Sequence, residues 1–184
     1  RLCIYIGKKG GLNSAIYTTK YNRWHADERA TLLSTISYHN SFFHKKLSRI
    51  PQIGTAYAGL ITSKLGAKHT RTIANYYSHT SSGSLMHYHR SPNYWIRAMD
   101  FEPHFKNSQK LRSNYHFRDL YFSDERAGKI IGAILNSSLF FFWFITIGNG
   151  RNVTGADIEW FPIGGINNDA LDQLPDIFDR LKIG

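Results

Sequence analysis

The stretch from Ile130 to Ile163, IIGAILNSSLFFFWFITIGNGRNVTGADIEWFPI, constrains this chain more than any other, because it contains the most apolar run in the sequence. Residues 130–147 would just reach across a bilayer, but Asn136, Ser137 and Ser138 stand near their centre, where polar side chains are costly. The run therefore reads as two buried helices. Ala127, Ile130, Ile131, Ile134 and Leu135 recur at helical spacing, with Ser123 as N-cap and Asp124 and Glu125 in the first turn, where the helix dipole favours acids. Asn136 or Ser137 caps a second helix, Leu139 to Ile145, which is apolar nearly all round and so expected to be enclosed. Gly148-Asn149-Gly150 ends it in residues that tolerate left-handed backbone, with Arg151 at the tip of the turn. Thr154 and Asp157 have capping-box spacing, and Trp160 to Ile163 reads as a short buried strand or extended segment that Pro162 keeps off a central ladder.

The 184 residues fit one domain with a real core. Arg1 stands inside a strand-like stretch with no initiator Met, as expected for part of a larger protein. A single cysteine, Cys3, excludes an internal disulfide framework and suits a reducing cytoplasm. The alternating start lacks the apolar core of a signal peptide.

Charge is unevenly distributed. Residues 1–130 hold 20 Lys and Arg against 7 Asp and Glu, whereas residues 131–184 hold 3 against 6. A cationic face built by the first two thirds favours a polyanionic partner, and no basic amphipathic helix accompanies it to suggest a membrane surface.

Along the chain, Leu2 to Ile6 and Ala15 to Thr19 read as a hairpin with Lys8 and Lys9 at its tip. His25 or Asp27 opens a helix to about Leu33, and Ile36 to Phe43 fits strand or helix equally. Ala56 to Leu65 reads as a helix with Ala58, Ile61 and Leu65 on one side, and His69 to Tyr77 as a strand. Leu85 to Arg90 alternates, Ser91-Pro-Asn93 turns and Tyr94 to Arg97 returns, a second hairpin displaying His87, His89, Arg90, Asn93, Tyr94 and Arg97. A basic, amide-rich loop follows, with Lys106, Gln109, Lys110 and Arg112, then a strand from Tyr115 to Phe122 that carries Arg118. Gly164-Gly165 is a hinge signal before an acidic amphipathic tail in which Leu171, Leu174, Phe178 and Leu181 share a helical face, split at Pro175.

Catalytic signatures are absent from the sequence. No acid has Lys two positions later, as metal-dependent restriction nucleases commonly need, and the carboxylate pairs Asp100/Glu102 and Asp157/Glu159 lack further oxygen donors in sequence reach. His87 and His89 share a strand face without a third zinc ligand, and no Gly-x-Ser-x-Gly elbow occurs.

Ala133-Ile-Leu-Asn-Ser-Ser-Leu-Phe140, Gly148-Asn-Gly-Arg-Asn152, Asp157-Ile158 and Tyr94-Trp-Ile-Arg-Ala98, with Tyr17-Thr-Thr-Lys-Tyr-Asn-Arg-Trp24 and Glu28-Arg29, carry a resemblance. They are similar to the C-terminal target-recognition region of gamma-class N6-adenine DNA methyltransferases, alone or fused in type IIG restriction-modification proteins. The resemblance implies a bacterial cytoplasmic protein whose catalytic methyltransferase domain lies elsewhere in the same parent chain. That domain would use S-adenosylmethionine, and no cofactor or metal is expected in this segment. The Asn/Asp-Pro-Pro-aromatic motif of such enzymes is missing, since the prolines at 51, 92, 103, 162 and 175 are never consecutive, and Gly148-Asn-Gly150 is not a nucleotide-binding loop.

The expectation is an α+β domain: β-hairpins and a mixed or antiparallel sheet packed on a pair of buried helices. Residues 1–163 would form a DNA target-recognition domain and 164–184 a C-terminal helical extension. Its partner would be double-stranded DNA, with no membrane. Candidate contacts are Lys8, Lys9, His87, His89, Arg90, Asn93, Tyr94, Arg97, Lys106, Gln109, Lys110, Arg112, Arg118, Asn149 and Arg151, chosen because Arg and Lys neutralise phosphate while planar amides and guanidinium groups read base edges. Competing expectations are an RNA- or single-strand-binding module that stacks bases on aromatic rings, and a hydrolase with an unfamiliar site.

Overall fold

The computed structural model describes residues 15–22, 24–66, 71–78, 83–92, 95–102 and 117–182. The hairpin limb with Lys8 and Lys9, the turn residues Asn93 and Tyr94, and the loop with Lys106, Gln109, Lys110 and Arg112 lie outside them. The fold is α+β, with two small antiparallel sheets and a C-terminal helix.

Ile16–Thr18 (β1) pairs with His39–Ser41 (β2) in an antiparallel ribbon, Tyr17 opposite Asn40. Between them, the expected single helix is instead a 3-10 turn, Asp27–Ala30, and one short turn of helix, Leu32–Thr35 (α1). Neither buries a residue. A helix that buries no face lacks its main source of stability, which accounts for the break. The ribbon is tied inward by Thr18 and Ser41, whose hydroxyls both donate to the Pro51 carbonyl, at 2.9 and 2.8 Å. Gln52 N–H then reaches the Thr146 carbonyl at 2.7 Å.

Ala56–Gly66 (α2) forms as expected but turns differently. Thr62 is its buried residue and Ile61 faces outward. The Thr62 hydroxyl donates to the Ala58 carbonyl at 2.7 Å, so its polar atom is satisfied within the helix and the side chain packs without penalty. Ile73–Tyr76 is a 3-10 turn where a strand was expected. The reciprocal capping box of Thr72 and Asn75 wins over β propensity there, and only single bridges, Thr72 to Pro162 and Tyr77 to Phe122, remain of a ladder.

The main sheet orders Ala98–Met99 (β4), Ser84–His89 (β3) and Phe117–Phe122 (β5), all antiparallel, with β3 central. The second hairpin is present, but its return limb pairs later than Tyr94 to Arg97: Ala98 lies opposite Tyr88 and Met99 opposite His87. Asn136 sets this register. Its amide donates to the Ala98 carbonyl at 2.8 Å and accepts the Ala98 N–H at 3.0 Å. Asn136→Ala leaves both groups of a buried backbone unit unmatched, and is expected to lower stability by about 1–3 kcal/mol. A urea titration with an unchanged slope and a lower midpoint checks it.

Glu125–Leu135 (α3) and Ser138–Thr146 (α4) are the two expected core helices, bent by 65° at Asn136-Ser137. Asp124 rather than Ser123 is the N-cap of α3, accepting from Ala127 N–H at 2.8 Å; both residues cap well, and one position separates them. Ser137 caps α4. Despite its all-round apolarity α4 is not enclosed: Phe140, Trp143, Phe144 and Ile147 form the buried stripe while Leu139 and Ile145 stay exposed. The rings of Phe140 and Trp143 meet Phe161, which explains the choice of face. Gly150 has φ 61°, the left-handed backbone expected after α4. Among the described residues no single helix is long and apolar enough to cross a membrane.

Gly155–Glu159 (α5) starts at the expected Thr154–Asp157 capping box, and Phe161, Pro162 and Ile163 are buried. Asn168–Arg180 (α6) runs unbroken through Pro175. Leu171 on one side of the proline and Phe178 on the other are both buried in the core that also holds α3, so packing outweighs the lost helical hydrogen bond. The close approach needs Gly132, where an added Cβ would stand 2.5 Å from the Phe178 ring and 2.9 Å from Met86.

Candidate nucleic-acid interface

Strand pairing decides which of the candidate residues meet. His89 lies opposite Phe117 and receives on its other side the Arg97 carbonyl, which accepts the His89 N–H at 2.9 Å. Tyr88, one residue back, lies opposite Arg118 and Ala98. Arg90 leaves the strand directly after His89, and its carbonyl accepts the Val153 N–H at 2.8 Å. Beside it the Ser91 hydroxyl donates to the Asn152 side chain at 2.7 Å, which brings the 149–153 turn against the same sheet end. Within that turn the Asn149 side chain accepts from the N–H groups of Arg151 and Asn152 at 2.8 and 2.9 Å, holding Arg151 outward. Arg90, Arg97, Arg118 and Arg151 therefore lie at one end of the three-stranded sheet, Arg118 on the face of Tyr88 and Arg97 on the other face with His89.

The two histidines are placed otherwise. His87 is buried, its Nδ1 at 2.7 Å from an Asp119 carboxylate oxygen. His89 is half-buried, its ring edge-on to Phe117 with centroids 5.1 Å apart.

Around the start of α3 three cations are matched by acids, Arg126 to Asp172, Lys129 to Glu125 and Asp179, and Lys182 to Asp100 and Asp179, while Arg71 there meets the Tyr76 hydroxyl and ring. Hydrogen bonds to Asp179 and Glu125 hold the Lys129 ammonium above the usual lysine range. Among the described residues, Arg90, Arg97, Arg118 and Arg151 have no ion-pair partner. Arg118 reaches only the carbonyl of its neighbour Phe117, at 3.3 Å.

Beneath the arginines lies Tyr88, buried on the helix-facing side of the sheet. Burial pushes its hydroxyl above the usual tyrosine range, Arg118 and Arg90 draw it back, and Asp157 and Glu159 push it further up. The neighbourhood is thus not purely cationic. Asp157, with no exposure, takes Arg49 as its counter-ion and also accepts from the Thr154 N–H and hydroxyl at 2.8 and 2.7 Å. Arg49 belongs to the turn after β2, where burial, opposed by a backbone hydrogen bond and assisted by Arg49, holds the His44 imidazole below its usual range. The His44 ring packs edge-on to Trp143 at 5.8 Å.

The carboxylates singled out as pairs are occupied: Asp157 as described, and Asp100 by Lys182. Among the described residues no three His, Cys, Asp or Glu side chains converge to hold a metal ion. The sequence reading overlooked the Arg49–Asp157 pair and the Asn136 clamp, since both join residues distant along the chain. The aromatic stretch from Ile36 to Phe43 stayed open between strand and helix, so the alternation of Tyr38 and Phe42 about Asn40 was not used. No family model, no curated protein and no solved structure matches the chain.

Proposed function

We propose that this chain is a double-stranded DNA recognition domain of an adenine-specific methyltransferase or fused restriction-modification enzyme. Methyl transfer from S-adenosylmethionine would belong to a separate catalytic domain of the parent protein. One observation carries the reading: four arginines, from three strand ends and a turn, lie at one end of the sheet with no acidic partner among the described residues. A cation left unpaired beside other cations raises the local potential, and a polyanion is the partner that lowers it. Guanidinium groups add the planar donor pairs that phosphate oxygens and guanine edges accept.

Arg97→Ala and Arg118→Ala are each expected to weaken duplex binding by about 1–3 kcal/mol where the side chain reads a base. Where it contacts phosphate, binding weakens on all sequences alike and the log–log salt slope falls by about one. Fluorescence anisotropy against a pool of duplexes, at several salt concentrations, measures both. Arg126→Ala serves as the control, since Arg126 already faces Asp172. Unchanged affinity in both test variants, with folding intact, removes this sheet end from the DNA surface.

A further inference from the structure

The β1–β2 ribbon presents a second surface of different chemistry. Its inner face, Ile16, Thr18, His39 and Ser41, is half-buried, and Thr18 and Ser41 fasten it to the Pro51 carbonyl. By strand alternation the outer face carries Tyr17 and Asn40, and Tyr38 and Phe42, directly before and after β2, continue it at either end, the Phe42 ring 6.4 Å from that of His44. All are exposed, Tyr17 by 61%, Tyr38 by 57% and Phe42 by 39%. Two-stranded ribbons with one free face ordinarily place charged or small polar groups there; three rings on such a face are an anomaly that points to a partner.

We infer that this outer face is a stacking platform for unpaired DNA bases, with Tyr38, Tyr17 and Phe42 as successive supports and Asn40 between them for a base edge. Three observations select this occupant. The first is spacing: Tyr17 lies diagonally between Tyr38 and Phe42, and such diagonal neighbours stand about 7–8 Å apart. That separation is roughly twice the 3.4 Å rise per nucleotide of a duplex strand, so bases reach successive rings only when unstacked from one another. Charge is the second. Residues 15–66 hold seven Lys and Arg against two Asp and Glu, and exposed Lys20 and Lys45 follow the two strands at opposite ends of the ribbon. Cations flanking a row of rings suit a phosphate backbone that crosses it. The third is the amide at the centre: Asn40 interrupts the apolar surface that a protein partner would bury, whereas a base edge matches its donor and acceptor. The choice of DNA over RNA rests on the duplex reading given above; stacking itself does not.

The test is anisotropy of a labelled twelve-nucleotide single-stranded DNA with wild-type protein, the double variant Tyr17→Ala/Tyr38→Ala, and Tyr17→Leu/Tyr38→Leu. Both variants are expected to lose about tenfold or more in single-strand affinity, the leucines as much as the alanines, because a base stacks on a ring and not on an aliphatic chain. Duplex affinity should stay at the wild-type value. A strand of abasic spacers, which keeps the phosphates and lacks the bases, should bind at least tenfold more weakly. Equal binding of the abasic strand, rescue by leucine, unchanged single-strand affinity in both variants, or preference for RNA of the same sequence overturns the inference. Unchanged duplex affinity in Arg97→Ala and Arg118→Ala with the single-strand losses as expected sinks the duplex reading alone; weakened duplex binding there with unchanged single-strand affinity in the tyrosine variants sinks the stacking platform alone.

Discussion

Phe178→Ala is expected to lower the unfolding free energy by about 3–5 kcal/mol, the usual cost of emptying a fully enclosed aromatic site. Phe178 is 2% exposed, packs against Gly132 of α3, where an added Cβ would stand 2.5 Å from its ring, and shares its core with Met86 of the central strand. Asp172 meets Arg126 near the start of α3 and Phe178 meets Gly132 further along, so α6 and α3 run in the same direction across nearly two turns. The measurement also bears on domain organisation. If residues 164–184 formed a separable appendage, the loss would be small and a truncation after Ile163 would unfold at nearly the wild-type midpoint. A single cooperative transition shifted far to lower denaturant is the outcome that the packing requires.

Asp157→Ala should cost about as much, near 3–5 kcal/mol, by another route. The carboxylate has no solvent access and serves three donors, from Arg49 and from Thr154 twice. Removing it leaves a guanidinium facing an apolar wall formed in part by Trp143, whose indole N–H donates to the Asp157 carbonyl at 2.9 Å. It also removes the reciprocal half of the α5 capping box, leaving the Thr154 N–H without its acceptor while the Thr154 hydroxyl still caps the helix. Arg49 retains 29% exposure, so water recovers part of the loss and the lower half of the range is expected. Asp157→Asn keeps the cap acceptor and the shape while discarding the charge. Its thermal midpoint should fall between wild type and alanine; an asparagine variant as stable as wild type would mean that the ion pair contributes nothing beyond a hydrogen bond.

How much of this could be read beforehand depended on the range over which each choice is made. The α3–α4 pair, the Ser137 cap, the left-handed turn at Gly150 and the Thr154–Asp157 box were legible because each is decided within four residues. Two failures were local, the Thr72–Asn75 capping box that takes the place of a strand and the shift of the α3 cap from Ser123 to Asp124; the others were tertiary. Pro175 reads locally as a break, and only the burial of Leu171 and Phe178 on both sides carries the helix through it. Thr62 replaces Ile61 on the buried side of α2 because a hydroxyl that bonds its own helix is no burden inside. The candidate arginines were individually visible, yet their convergence was not: Arg90, Arg97, Arg118 and Arg151 become neighbours only through the β3 pairings and the Val153–Arg90 link. The aromatic ribbon went unseen for a similar reason, since β1 and β2 are joined across an intervening 3-10 turn and helix instead of a tight hairpin turn.

Asn136 recognises Ala98 through its peptide group alone. Any residue except proline offers the same donor and acceptor at that position. Within the span from Ser91 to Arg97, Ile96, 1% exposed, sits in the core by its side chain, so the return limb is held twice: at Ile96 by packing, which fixes the residue, and at Ala98 by its backbone, which fixes only the register.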